Sequence, residues 1–136
     1  MTNQIVQNQA ATILHQWKQR MQQQLDNTEL ALRLWLERVT PEQVNLERWT
    51  CGTQACFGGH LATWPEFQAL GVRADCYGAP RMGDLQPLNV AQALFGDSSL
   101  FCVQGFNETR LTDYEKVVKR LEVQAAYLRR MLGSSE

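Results

Sequence analysis

The residues with most chemical potential sit in one short run, Cys51-Gly52-Thr53-Gln54-Ala55-Cys56-Phe57-Gly58-Gly59-His60. Two thiols and an imidazole at this spacing suggest a metal site. Cys56 and His60 are four residues apart and share a face if the segment is helical, with Cys51 a turn upstream. Cys76 or Cys102 would then complete a Cys₃His zinc site. The spacing C-x4-C-x3-H is not the compact C-x2-C pair of common zinc motifs, and nothing in it selects the fourth ligand. A second chemistry is nucleophilic. A Cys at a helix N-terminus has its thiolate stabilised by the dipole, and a nearby His can serve as base. Cys51 and His60, however, would lie roughly 12 Å apart along a helix axis, too far for proton transfer. Cys56 is closer, but a Cys within a helix is more often a small buried hydrophobe. The only other histidine, His15, falls among polar positions of an earlier helix, and no third, orienting residue stands out.

A third reading needs no chemistry. Gly58 and Gly59 each cost a helix about 1 kcal/mol relative to Ala, which makes sense where another backbone approaches closely. Cys51 and Cys56 then fill a tight helix–helix contact, with Phe57, Trp49 and Trp64 around it. This packing reading is preferred, with zinc and Cys/His catalysis at Cys51, Cys56 and His60 as alternatives. No catalytic residue and no cofactor is expected.

The elements that would position this run are mostly helical. Residues 4–25 carry Val6, Ala10, Ile13, Leu14, Trp17, Met21 and Leu25 at three-and-four spacing, which predicts a buried stripe beneath a Gln-rich solvated face. Asp26 with Glu29 reads as a capping box opening a second helix, so residues 1–38 are expected to form an antiparallel helical hairpin. Thr40-Pro41-Glu42-Gln43 is a further helix start. Thr53 is expected to cap a helix through Ala62, Thr63-Trp64-Pro65-Glu66 to restart it, and Gly71 to end it. Residues 72–86, with Gly78, Pro80 and Gly83, read as an ordered loop. A helix over 88–95 should stop at Gly96, and Asp97-Ser98-Ser99 should cap one more turn. Phe101-Cys102-Val103 is the only strand candidate. The last helix, over 111–132, has a Thr112/Glu115 capping box, a stripe from Tyr114 to Leu132, and Gly133 as its terminator.

These elements predict a mainly α fold: a compact single domain over 1–136, a bundle of about five to seven helices with long N- and C-terminal helices and at most one very short strand pair. Residues 44–121 would be the motif-bearing core. With 136 residues, 44% hydrophobic and 20% charged, the chain is long enough for one core and too apolar for wholesale disorder. A net charge of −1 gives no general attraction to nucleic acid or anionic lipid. Basic residues of the last helix (Lys116, Lys119, Arg120, Arg129, Arg130) are interspersed with Glu115 and Glu122, as on a solvated face. No run reaches the ~18 apolar residues of a membrane span, and the first residues do not resemble a signal peptide. A cytosolic protein with reduced thiols is expected.

The run Trp49…Cys51-Gly52-Thr53-x-Ala55-Cys56-Phe57-Gly58-Gly59-His60-Leu61-Ala62…Pro65-Glu66-Phe67…Leu70-Gly71-Val72 resembles a motif of small uncharacterised bacteriophage and prophage proteins, C-G-T-x-x-C-x-G-G-[HW]. Ala91…Leu94-Phe95-Gly96…Leu100-Phe101 and Asp113-Tyr114-x-x-Val117-Val118-x-Arg120-Leu121 are similar to their C-terminal half. The resemblance spans about residues 44–121. It implies a phage-infected or prophage-carrying bacterial host, and a small accessory protein that binds a host protein or complex, such as a host-takeover or anti-defence inhibitor. The Trp found in relatives at the His60 position favours packing there. The contact surface is expected in the 72–86 loop, at Arg73, Tyr77, Arg81 and Met82, residue types enriched at interfaces. A homo-oligomer through the first helix is left open.

Overall fold

From Thr2 to Arg38 the sequence contains neither Gly nor Pro, so nothing in it removes a backbone donor or favours a break. The computed structural model, which describes residues 2–46, 56–101 and 110–134, has a single helix there, α1 (Thr2–Arg38), about 55 Å long. The hairpin expected over 1–38 is therefore corrected. Asp26 and Asn27 lie within α1, where Asp and Asn cost a helix only a few tenths of a kcal/mol more than Gln. Gln22 Nε2 donates to Asp26 Oδ1 at 2.9 Å, and Gln23 Nε2 to Asn27 Oδ1 at 3.3 Å. Glu29 reaches not back to a cap but across to Arg129.

α5 (Asp113–Ser134) lies antiparallel along the C-terminal half of α1. Its start is the capping box read from sequence: Glu115 N–H donates to Thr112 Oγ1 at 3.2 Å, and Thr112 N–H to Glu115 Oε1 at 3.1 Å. Val117, Leu121, Ala125 and Leu128 are buried against Ala31, Leu34, Trp35, Met21 and Leu25. Gly133 stays within the helix rather than ending it.

Between them lie short elements that fill the remaining side of the core. Thr40 precedes a 3₁₀ turn, Pro41–Gln43, and its N–H donates to Gln43 Oε1. α2 (Phe57–Leu61) and α3 (Pro65–Gln68) follow, then strands β1 (Arg73–Ala74) and β2 (Pro80–Arg81), paired antiparallel with Arg73 opposite Arg81. α4 (Pro87–Phe95) starts on Pro87 and stops at Gly96, whose φ of 77° is the left-handed cap expected. A 3₁₀ turn, Ser98–Phe101, completes the described middle. Phe101 belongs to that turn and not to a strand; Cys102 and Val103 lie outside the described residues. The fold is thus mainly helical, with five α-helices among the described residues, long first and last helices, and one very short strand pair. Among the described residues no helix is long and apolar enough to cross a membrane.

Candidate functional site

Cys56 and His60 come together with the aromatic core rather than with other ligands. The helix expected from Thr53 is described only from Phe57, with Cys56 as its N-cap; Thr53, Cys51 and Trp49 lie outside the described residues, as does Cys102. Gly59 N–H donates to the buried Cys56 Sγ at 3.4 Å. Burial pushes the Cys56 thiol above its usual pKa, against the opposing pull of the Gly59 and Gly58 N–H groups. A raised pKa keeps the sulfur protonated at neutral pH and a poor nucleophile. His60 Nε2 hydrogen-bonds Gln43 O at 2.7 Å, and its ring stands edge-on to Trp35 with centroids 5.5 Å apart. The imidazole thus ties α2 to the Pro41–Gln43 turn. Phe57 points into a ring cluster with Trp35, Phe95 and Phe101 at 5.9, 5.7 and 5.6 Å. Among the described residues no three His, Cys, Asp or Glu side chains gather as a metal site would require. Cys76, offered as a possible fourth ligand, is exposed.

The 72–86 segment is a β-hairpin built on one carboxylate. Asp75 Oδ1 accepts from Tyr77 N–H at 2.8 Å and Ala79 N–H at 3.0 Å, while Oδ2 accepts from Arg81 Nε at 3.2 Å. Asp75 N–H donates to Ala79 O, and Gly78 turns the chain at φ 84°. The Tyr77 N–H, together with those of Ala79 and Arg81, holds the Asp75 carboxyl below its ordinary pKa against its partial desolvation. Ala79 and Pro80 are buried beneath the turn.

The four residues expected at a contact surface separate here. Arg73 Nη1 is held by Gln68 O and Val72 O at 2.7 and 2.8 Å. Arg81 is committed to Asp75, and Met82 packs partly against the core. Tyr77 stands out at the tip, 76% exposed.

Two features escaped the sequence reading. Three buried amides converge on the end of α4: Asn27 Nδ2 donates to Leu94 O at 2.9 Å, Gln124 Nε2 to Phe95 O at 2.7 Å, and Gln24 Nε2 to Gln92 O at 3.4 Å. Gln24 and Thr28 interrupt the apolar stripe of α1 at core spacing, which is the sequence signal that was available. The second is a correction. Met21 and Leu25 are buried, but Val6, Ala10, Ile13, Leu14 and Trp17 of the same stripe are not. α5 runs out beside Met21 and Leu25, where its Met131 and Leu132 pack, so nothing described covers α1 upstream.

Comparison with protein-family models, with curated proteins and with solved structures finds no match for this chain.

Proposed function

We propose that this is a non-enzymatic interaction protein of phage type, acting in the bacterial cytosol on a host protein or complex as a takeover or anti-defence factor. The observation that carries the interaction reading is Tyr77, a large amphipathic ring presented by a hairpin whose turn is stiffened by three hydrogen bonds to Asp75. A preorganised aromatic anchor loses little entropy on binding. The phage setting draws its support from the resemblance over residues 44–121. Lys116, Arg120 and Arg129 are ion-paired with Asp113, Asp97 and Glu29, which lowers their worth as a nucleic-acid surface. Zinc or Cys/His chemistry at Cys51, Cys56 and His60 gains no comparable observation, because the Cys56 sulfur accepts the α2 cap bond and His60 Nε2 is bonded to Gln43 O. A photo-crosslinking amino acid at position 77, with the chain expressed in bacteria, should give one discrete adduct with a host protein. Diffuse labelling equal to that from a probe at exposed Glu122 would overturn the reading.

A further inference from the structure

We propose that Arg73 is a preset fork for a carboxylate, so that the partner met by Tyr77 presents an Asp or Glu side chain to the same hairpin. This rests on the reading of Tyr77 as an anchor and names the chemistry of its partner.

A guanidinium has N–H donors on three nitrogens, and those already engaged decide what the others can do. On Arg73 the engaged nitrogen is Nη1, which donates to Gln68 O at 2.7 Å and to Val72 O at 2.8 Å. Nε and Nη2 have no acceptor among the described residues. These two nitrogens lie along one edge of the planar group, where parallel N–H bonds match the two oxygens of a carboxylate. Gln68 ends α3 and Val72 precedes β1, so the exposed side chain is pinned to backbone at its tip. Much of the rotamer freedom that an arginine gives up on binding is therefore already lost.

Charge selects the occupant. Arg38, Arg81, Arg120 and Arg129 each meet a carboxylate of this chain. Arg73 meets none among the described residues. Asp75 shares its face of β1 but is occupied by the Tyr77 and Ala79 N–H groups and Arg81 Nε. Directly across the strand pair from Arg73 stands Arg81, a second cation, and like charges so placed repel. Two guanidiniums and one carboxylate leave this face with a positive charge in excess. Asp84, in the turn between Met82 and Leu85, pairs with neither arginine. Arg20 and Arg33 also lack an ion pair, but they make no hydrogen bond among the described residues either, so nothing holds them in place. A nucleic-acid backbone is gripped by many cations at once, whereas a single excess charge on a planar fork suits one carboxylate.

The test is calorimetric titration of the host protein identified by the position-77 adduct, at about 0.05 and 0.5 M salt. Wild-type affinity should fall with salt. Arg73→Gln should bind about ten-fold more weakly at low salt and lose most of that salt dependence. Loss of a purely structural clamp would instead weaken binding equally at both concentrations. Arg73→Lys keeps the charge without the fork, so it should bind more weakly yet retain the salt dependence. Arg20→Gln should match wild type. Wild-type binding indifferent to salt, or an Arg73→Gln chain with the wild-type salt dependence, would overturn the carboxylate and leave the Tyr77 reading standing. Absence of a discrete adduct at position 77 would overturn both.

Discussion

The side-chain amide of Asn27 donates to the main-chain carbonyl of Leu94 across 2.9 Å, so a residue in the middle of the longest helix terminates another helix. The Leu94 carbonyl is one of the four that α4 cannot satisfy internally. Asn27 is buried there, as are Gln24 and Gln124; Gln124 does the same for Phe95, while Gln24 adds a second, longer bond to the Gln92 carbonyl, which already accepts from the Gly96 N–H.

Removing that amide leaves a buried carbonyl without its partner. Asn27→Ala should therefore cost about 1–3 kcal/mol in urea unfolding. Asp26→Ala, on an exposed position, should stay within about 0.5 kcal/mol. The reverse order would restore a helix start at Asp26.

Gly96 should tolerate no side chain. Its φ is 77°, which strains any L side chain, and a Cβ there would lie 2.9 Å from Gln24 Oε1, so the Gln24 amide would have to shift and loosen its 3.4 Å bond to Gln92 O. Gly96→Ala combines left-handed strain with displacement of a buried amide, and about 2 kcal/mol or more of destabilisation is expected from chemical denaturation.

The difference between what sequence showed and what it hid has a physical basis. Local signals survived: the Thr112/Glu115 box and the Gly96 stop depend on residues three or four apart. Asp26-Asn27 misled because the same side chains that cap a helix start can also serve a distant helix end, and the choice rests on α4, 67 residues away. The stripe of α1 was read correctly as a stripe, but periodicity does not say how far its cover extends. At the hairpin, residue types marked Arg73, Arg81 and Met82 as contact candidates, whereas Arg73 bonds the Gln68 and Val72 carbonyls, Arg81 pairs with Asp75 in the turn, and Met82 packs partly against the core. Only the exposure of Tyr77 distinguishes it.

Acid stability should depend on the Arg38–Glu66 pair, whose guanidinium fork grips the carboxylate at 2.7 and 2.5 Å. The hydrogen bonds from Arg38 lower the Glu66 pKa from 4.5 to about 2. A depressed carboxylate contributes stability that is complete above its unfolded pKa and lost as pH falls through the folded one. The loss should fall between pH 4.5 and about 2. Glu66→Gln should flatten this part of a pH–melting curve; an unchanged slope would show that the pair, half-exposed to solvent, contributes nothing measurable.

Thiol reactivity should separate the two described cysteines. With its pKa raised and its sulfur buried, Cys56 should resist a maleimide in native protein, while exposed Cys76 reacts. Peptide mapping before and after unfolding reads this directly. Native-state labelling of Cys56 as fast as that of Cys76 would bring back thiol chemistry at the Cys51–His60 segment.

The proposed function places binding on the hairpin tip and not on the Cys56–His60 cluster. Calorimetric titration of the crosslinked host protein with wild-type chain and with Tyr77→Ala tests this most directly. Removal of a ring 76% exposed to solvent should cost little stability, yet its loss as an anchor should weaken binding by about 2 kcal/mol or more, roughly thirty-fold. Unchanged affinity for a folded Tyr77→Ala chain would contradict it.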